Sequence, residues 1–317
     1  MTTYLCGSSL YLYLPLIPDF ALCRDRLRTE APRWKRLFFT AAAAGWEGTP
    51  RQRQALDRAM TIMMIVIIPV AVSVHTVISW LFAMTLREPF NSTVFGAYFV
   101  AGAIFSGVAA IILLMAVLRR LLHLEEYITA TQFRALGLLL AGMALIMVYF
   151  NLSEYVTTGY KMEAGVPFHF QDLMTGSLAP LFWFYIIGGL ITPVLLMVLP
   201  WWRNISGVTI AAVLVLVAMW IERYLIVIGG FRVPLMAYSA RTYAPTWIEW
   251  SIMAGAVALF LLIISVFAKL FPMVSLWEVV EHQGASQIPE RAVSVAAQEA
   301  EPRLAGVAST IGQGAQR

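Results

Sequence analysis

The chain has 317 residues, of which 60% are hydrophobic and only 13% charged, with a mean hydropathy of +0.76 and a formal net charge of +4. A soluble domain carries roughly 25% charged residues, so one water-surrounded core is excluded and lipid must solvate much of the surface. The two cysteines, Cys6 and Cys23, would stand roughly 26 Å apart on one continuous helix, which excludes pairing there. No CxxC pair or CxxCH motif is present, so the chain builds neither an iron–sulfur site nor a c-type haem site.

Seven apolar blocks follow one another: Leu5–Leu22, Ala59–Leu86, Val94–Leu118, Ala135–Tyr155, Ser177–Trp202, Ile205–Gly230 and Trp247–Phe271. Most reach the length needed to cross about 30 Å of hydrocarbon. Backbone polar groups in lipid must be satisfied within the segment, and no alternating ten-residue pattern suggests barrel strands, so helices are expected. The first block is marginal. It begins almost at Met1 with no flanking loop, as in a chain that starts inside a helix through truncation, splitting or a missed upstream start. Pro15, Pro69 and Pro193 should kink the first, second and fifth blocks. Gly102, Ser106 and Gly107 suit close packing of the third.

The domain plan is a transmembrane helix over residues 1–22, a basic cytoplasmic loop over 23–58, a six-helix membrane region over 59–272 and a disordered cytoplasmic tail over 273–317. Within the basic loop, Trp34–Ala44 reads as a short amphipathic segment lying along the inner surface. Arginines crowd the loops after the first and third blocks, and the positive-inside rule then puts the N-terminus outside and the tail in the cytoplasm of a cell inner membrane. Trp201, Trp202, Trp247 and Trp250 fit interfacial belts.

Ionisable groups within such blocks are functional candidates. Asp19 reads as an interfacial cap, a partner of Arg24 or Arg26, or a proton-entry group. His75 lies in the second block with Ser79 one turn on, and a neutral imidazole there can accept a proton from a substrate hydroxyl. Glu154 reads as a solvated helix end or as part of a proton path. Glu222 and Arg223 lie deep in the sixth block. Adjacent residues point in different directions, so each is expected to find its partner on another helix, as a structural pair or in a relay or pocket. Glu249 reads as interfacial. His123, His169 and His282 are expected in loops or the tail. Only His75 is left in the membrane, which disfavours a bis-histidine haem. No phosphate loop, zinc motif or nucleophile elbow is present.

Two stretches, Ser8-Ser9-Leu10-Tyr11-Leu12-Tyr13-Leu14-Pro15-Leu16-Ile17-Pro18-Asp19 and Arg24-Asp25-Arg26, resemble the NrfD/PsrC family of haem-free membrane subunits of polysulfide-reductase-like complexes. The run from Ser73 to Trp80 around His75, Ser92 to Phe95, Tyr98 to Gly107, Trp220 to Arg223 and Tyr243 to Trp250 resemble its alternative complex III branch. The resemblance covers residues 3 to 280, with the block from His75 to Gly107 the most specific.

The seven blocks make the chain an all-α integral membrane protein of about seven transmembrane helices, and the resemblance implies a partial NrfD-like bundle, since family members build two four-helix bundles with flanking helices, typically ten in alternative complex III. It implies quinol oxidation near the outer face, electron delivery to an iron–sulfur subunit, cytochrome subunits and a paralogous membrane subunit in the same complex, and proton movement through the helices. No haem or iron–sulfur cluster is expected on this chain, and no nucleic-acid partner. Carried onto this sequence, His75, Ser79 and Arg223 would bind quinol, with His75 accepting its proton, and Asp19, Glu154 and Glu222 would line a proton path. The start of the chain resembles the middle of the family's fourth helix, so for the first three helices and their share of the quinol pocket the expectation is either that another polypeptide supplies them or that this product is a remnant. A scaffold or proton-conducting subunit without quinol turnover is the second reading. A stand-alone transporter is the third, against which no inverted repeat is evident.

Overall fold

The computed structural model describes residues 2–26, 33–85, 90, 92–121, 124–125, 127–162, 166–233 and 245–270. Among these, six helices are long and apolar enough to cross a membrane, or seven if one bent pair is counted as a span. The chain is an all-α, multi-pass membrane protein. It divides into two units, Thr2–Ile67 with Trp247–Arg317, and Ile68–Thr246.

In the unit built from the two ends of the chain, the first apolar block is two helices, α1 (Thr2–Tyr13) and α2 (Leu16–Arg26), meeting at 47°. The break falls at Leu14–Pro15, where proline has no N–H to continue the ladder. The amphipathic segment forms α3 (Arg33–Ala42). Phe20, Ala21 and Ala43 form the buried centre between α2 and the end of α3. The Tyr13 hydroxyl donates to the Ala42 carbonyl at 2.7 Å, tying α1 to α3. The next helix, α4 (Pro50–Ala83), starts nine residues before the apolar block that predicts it. Arg51, Arg53 and Arg58 therefore sit on helical turns, and the helix runs on into the other unit. α11 (Trp247–Leu270) completes this unit. The tail expected to be disordered lies outside the described residues, as do His123 and His282.

The second unit is the helical bundle that carries the candidate site. Its elements are the end of α4, α5 (Phe95–Leu121), α6 (Ala130–Lys161), the short α7 (Val166–Met174), α8 (Ala179–Phe184), α9 (Thr192–Val198) and α10 (Ile205–Arg232). α10 is central, with α5, α6, α7, α8 and α9 packed on it. Small residues on α10 allow this. Ala211, Ala212 and Ala218 are buried there among Val208 and Val215, facing Phe105, Ile112, Phe133, Leu140 and Met147. Lipid tails are as apolar as these side chains, so close van der Waals fit, not water exclusion, holds the bundle together.

The fifth apolar block does not run as one α-helix. Between α8 and α9, Tyr185–Ile191 is a π-helical segment. Pro193 stands two residues after its end, beyond Thr192, and cannot donate to the turn before it. The wider π turn absorbs the mismatch: the Thr192 N–H and hydroxyl both reach the Ile187 carbonyl, the hydroxyl at 2.8 Å. The predicted kink is thus a register change of the hydrogen-bond ladder, and it sets the direction of Tyr185.

Candidate functional site

Helices α5, α6, α7 and α10 and the π segment converge at one end of this bundle around a partly open cavity of about 80 Å³. A volume of this size holds several water molecules. Its wall is mostly apolar, but the polar groups on it are concentrated, Tyr98, Asn151, Glu154, His169, Tyr185 and Glu222 among them.

Three of them form one chain. The Asn151 amide donates to the Tyr185 hydroxyl at 2.8 Å and to the Met147 carbonyl at 2.8 Å. The Tyr185 hydroxyl lies 3.1 Å from that of Tyr98, close enough for either to donate. The bond from Asn151 uses an acceptor site on Tyr185, so the Tyr185 proton points on toward Tyr98 or the cavity. Asn151 reaches this position because its backbone lies mid-turn in α6 on the face with Met147 and Ala144. Tyr185 reaches it because the π turn starts there.

Glu222 faces the cavity from α10 and is 2% exposed. The expectation that Glu222 and Arg223 find partners on other helices is corrected. They pair with each other, with the Arg223 Nε 3.2 Å from the Glu222 Oε2. The arginine stem is long enough to fold back along the helix, and its guanidinium then lies 4.0 Å over the Phe99 ring of α5, a favourable cation–π position. Neither carboxylate oxygen of Glu222 makes a hydrogen bond of good geometry among the described residues. A half-satisfied buried carboxylate beside a small cavity has acceptor sites to offer.

Glu154 is not a solvated helix end. α6 continues two turns beyond it, and its side chain accepts hydrogen bonds from the Ser92 hydroxyl at 2.5 Å and the Thr158 hydroxyl at 3.4 Å. His169, expected in a loop, lies on α7 and is 8% exposed. Its ring packs against α10 at Gly229, where a Cβ would stand 2.8 Å from the imidazole Cε1. Neither ring nitrogen is hydrogen-bonded among the described residues. Burial pulls its pKa down to about 4, opposed by the nearby Asp172 carboxylate, so the imidazole is neutral at ordinary pH. α7 is fixed over the cavity by Arg232 of α10. The Arg232 guanidinium lies 3.0 Å from Asp172 and donates to the Ser177 hydroxyl at 2.7 Å.

His75 does not line the cavity. Its Nδ1 lies 2.8 Å from the Ala71 carbonyl one turn back. A carbonyl only accepts, so Nδ1 is the donor in this contact. Ser79, fully buried, donates back to the Thr76 carbonyl at 2.7 Å and sits beside Gly96 in the first turn of α5. That same turn supplies Phe95 to the cavity wall, and Phe95 meets Phe82 of α4 with ring centroids 6.5 Å apart. Asp19 is buried in the other unit, in the first turn of α2 after the Pro15 break. Among the described residues no group of three or more His, Cys, Asp and Glu could hold a metal ion. The structure thus brings Glu154 and Glu222 together and adds Tyr98, Asn151, Tyr185 and His169 to them.

The profile of the family described as polysulphide reductase, NrfD, matches residues 10–234. A relative from Archaeoglobus fulgidus, the Hdr-like menaquinol oxidoreductase integral membrane subunit, is 27% identical over 182 residues. The match covers 52% of this chain and 42% of that protein, so the chain spans less than half of its relative's length. All eight polar cavity residues, Ser92 and Tyr155 included, fall inside the profile match, and with a match over more than half of its length the chain belongs to the NrfD polysulphide reductase family of membrane proteins.

Proposed function

We propose that the chain is the quinol-handling membrane subunit of a respiratory quinol oxidoreductase of the alternative complex III type. The observation that carries this reading is the cavity in which Glu222, Glu154, His169 and the Asn151–Tyr185–Tyr98 chain meet inside an apolar bundle. Oxidising a quinol breaks two O–H bonds and releases two protons and two electrons. The protons need acceptors in a place that excludes bulk water, and the electrons need an acceptor outside this chain. A buried carboxylate with open acceptor sites, a neutral imidazole and hydroxyls that can both donate and accept meet the first need.

His75, Ser79 and Arg223 would bind the quinol ring, docked from the lipid side beside the first turns of α5, which Ser79 meets at Gly96 and Arg223 at Phe99. His75 Nε2 would take the first proton. Glu222 and Glu154 would take the second through the cavity, and His169 would pass it on. Asp19 stays a proposed proton-entry group of the other unit. The electrons would go to an iron–sulfur subunit, with cytochrome subunits and a paralogous membrane subunit in the complex. The cavity end of the bundle would then face outside and the arginine-rich end the cytoplasm. Coupled proton translocation belongs to the same proposal. The relative named as a menaquinol oxidoreductase subunit supports the substrate class.

The test is purification of the native complex, identification of its subunits by mass spectrometry, and assay with menaquinol and ubiquinol analogues. Co-purification with an iron–sulfur protein and cytochromes, with quinol-dependent turnover, supports the reading. A chain that purifies alone and is inert toward both quinols sinks it.

A further inference from the structure

At the opposite end of the same bundle, the ends of α5, α6 and α10 leave an open groove of about 1030 Å³. Arg119 and Arg120 reach it from α5, Arg134 from α6, and Glu125 is the carboxylate opposing them. Two of the arginines use only Nε for the protein: Arg119 on the Ile128 carbonyl at 2.9 Å and Arg134 on the Arg203 carbonyl at 3.3 Å. Arg120 makes no hydrogen bond or ion pair among the described residues. Among the described residues the terminal nitrogens of all three have no hydrogen-bond partner. Below the arginines the wall turns apolar. Leu113, Ala116 and Val117 line it three to seven residues before Arg120, about 5 to 10 Å further into the membrane.

We propose that this groove is a binding site for a phospholipid with an anionic headgroup. The positive-inside rule accounts for arginines at this end of the bundle. It does not account for guanidiniums from two helices meeting over a groove whose apolar wall runs on beneath them along the helix axis. A free anion would use only the upper part, and a zwitterionic lipid would bring its own cation to a surface already cationic. A ligand with a phosphate diester and net negative charge at one end and acyl chains at the other matches both parts. Basic pockets between transmembrane helices bind such headgroups, and each arginine near the surface contributes roughly a fivefold gain in affinity. The Asn204 side chain is already taken by the Gly207 N–H at 2.7 Å, as the N-cap of α10, so the arginines carry the attraction.

The test titrates phosphatidylglycerol, phosphatidylcholine and inorganic phosphate into the delipidated, purified full chain and follows retention by native mass spectrometry. Phosphatidylglycerol should be retained over phosphatidylcholine, phosphate alone should not be retained, and affinity should fall as salt rises. The Arg120→Gln, Arg134→Gln double variant should weaken retention about 25-fold, while Arg120→Lys, which keeps the charge, should stay near wild type and report that the groove has not collapsed. Equal retention of the two lipids, an unchanged double variant, retention of phosphate alone, or no retained lipid would each overturn the proposal.

Discussion

On the proposed function, Glu222 is the residue on which the proton chemistry would turn. Its carboxylate is buried, paired on one side with Arg223 and turned toward the cavity on the other. Glu222→Gln keeps the shape and removes the basic oxygen, so quinol-dependent turnover should drop by at least about a hundredfold with the protein still folded. Turnover within a few-fold of wild type would remove Glu222 from the proton path. His75→Leu should likewise abolish quinol-dependent electron transfer while the complex assembles, and intact turnover in an assembled variant would exclude His75 as acceptor.

His169 makes a separate, pH-dependent prediction. An unfolded histidine titrates near 6.5, while burial holds the folded one at about 4. Above the unfolded value both states are neutral and His169 contributes no pH dependence. As pH falls from about 6.5 to about 4, the unfolded chain binds a proton that the folded one refuses. Stability attributable to this group therefore declines by roughly 3 kcal/mol across that window and levels off below it. Thermal unfolding from pH 7 to pH 4 should show a steeper acid-side loss in wild type than in His169→Gln. Identical profiles would contradict the burial of a neutral imidazole.

The elements show where sequence patterns suffice and where they stop. Hydropathy placed the long helices, because lipid allows few alternatives to a helix, and Pro15 and Pro193 marked breaks, whereas α4 runs through Pro69 as one helix. The same reasoning could not say that the Pro193 break would be a π turn. The widening depends on how Gly189 meets α10, which is tertiary information. A Cβ at Gly189 would stand 2.2 Å from the Ala218 Cβ, so only glycine lets the π segment approach α10 this closely. Gly189→Ala should destabilise the bundle by about 1 to 3 kcal/mol and tilt Tyr185 out of its bond with Asn151. A thermal shift assay on the purified protein reads the loss, and an unchanged melting temperature would mean that the approach is looser than described.

Site residues were legible in proportion to their charge. Glu154 and Glu222 stand out in an apolar sequence because ionisable groups are costly there. Tyr98, Asn151 and Tyr185 do not, since tyrosine and asparagine are ordinary in such helices and only packing reveals that three helical elements bring them within hydrogen-bond reach. His169 escaped for another reason. Its segment is too short for a span and reads as a loop, whereas the Arg232–Asp172 ion pair folds it back over the bundle end. The Glu222–Arg223 pair shows the limit of directional rules: backbone vectors diverge, yet a long side chain can return.

At the scale of the whole molecule, the bundle is polarised. One end holds a small cavity with buried acids, hydroxyls and an imidazole, and the other an open groove of arginines. A bundle with one acidic end suits a subunit that takes protons from a lipid-soluble donor while a partner takes the electrons. The central claim is that quinol chemistry takes place at the cavity end of the bundle. The most direct test is photolabelling of the purified complex with an azido-quinone, followed by peptide mapping. The account predicts label, displaced by excess quinol, on the peptides of α5, α6 and α10 that carry Tyr98, Asn151 and Arg223. Displaceable label confined to peptides away from these helices, or to another subunit, would contradict it.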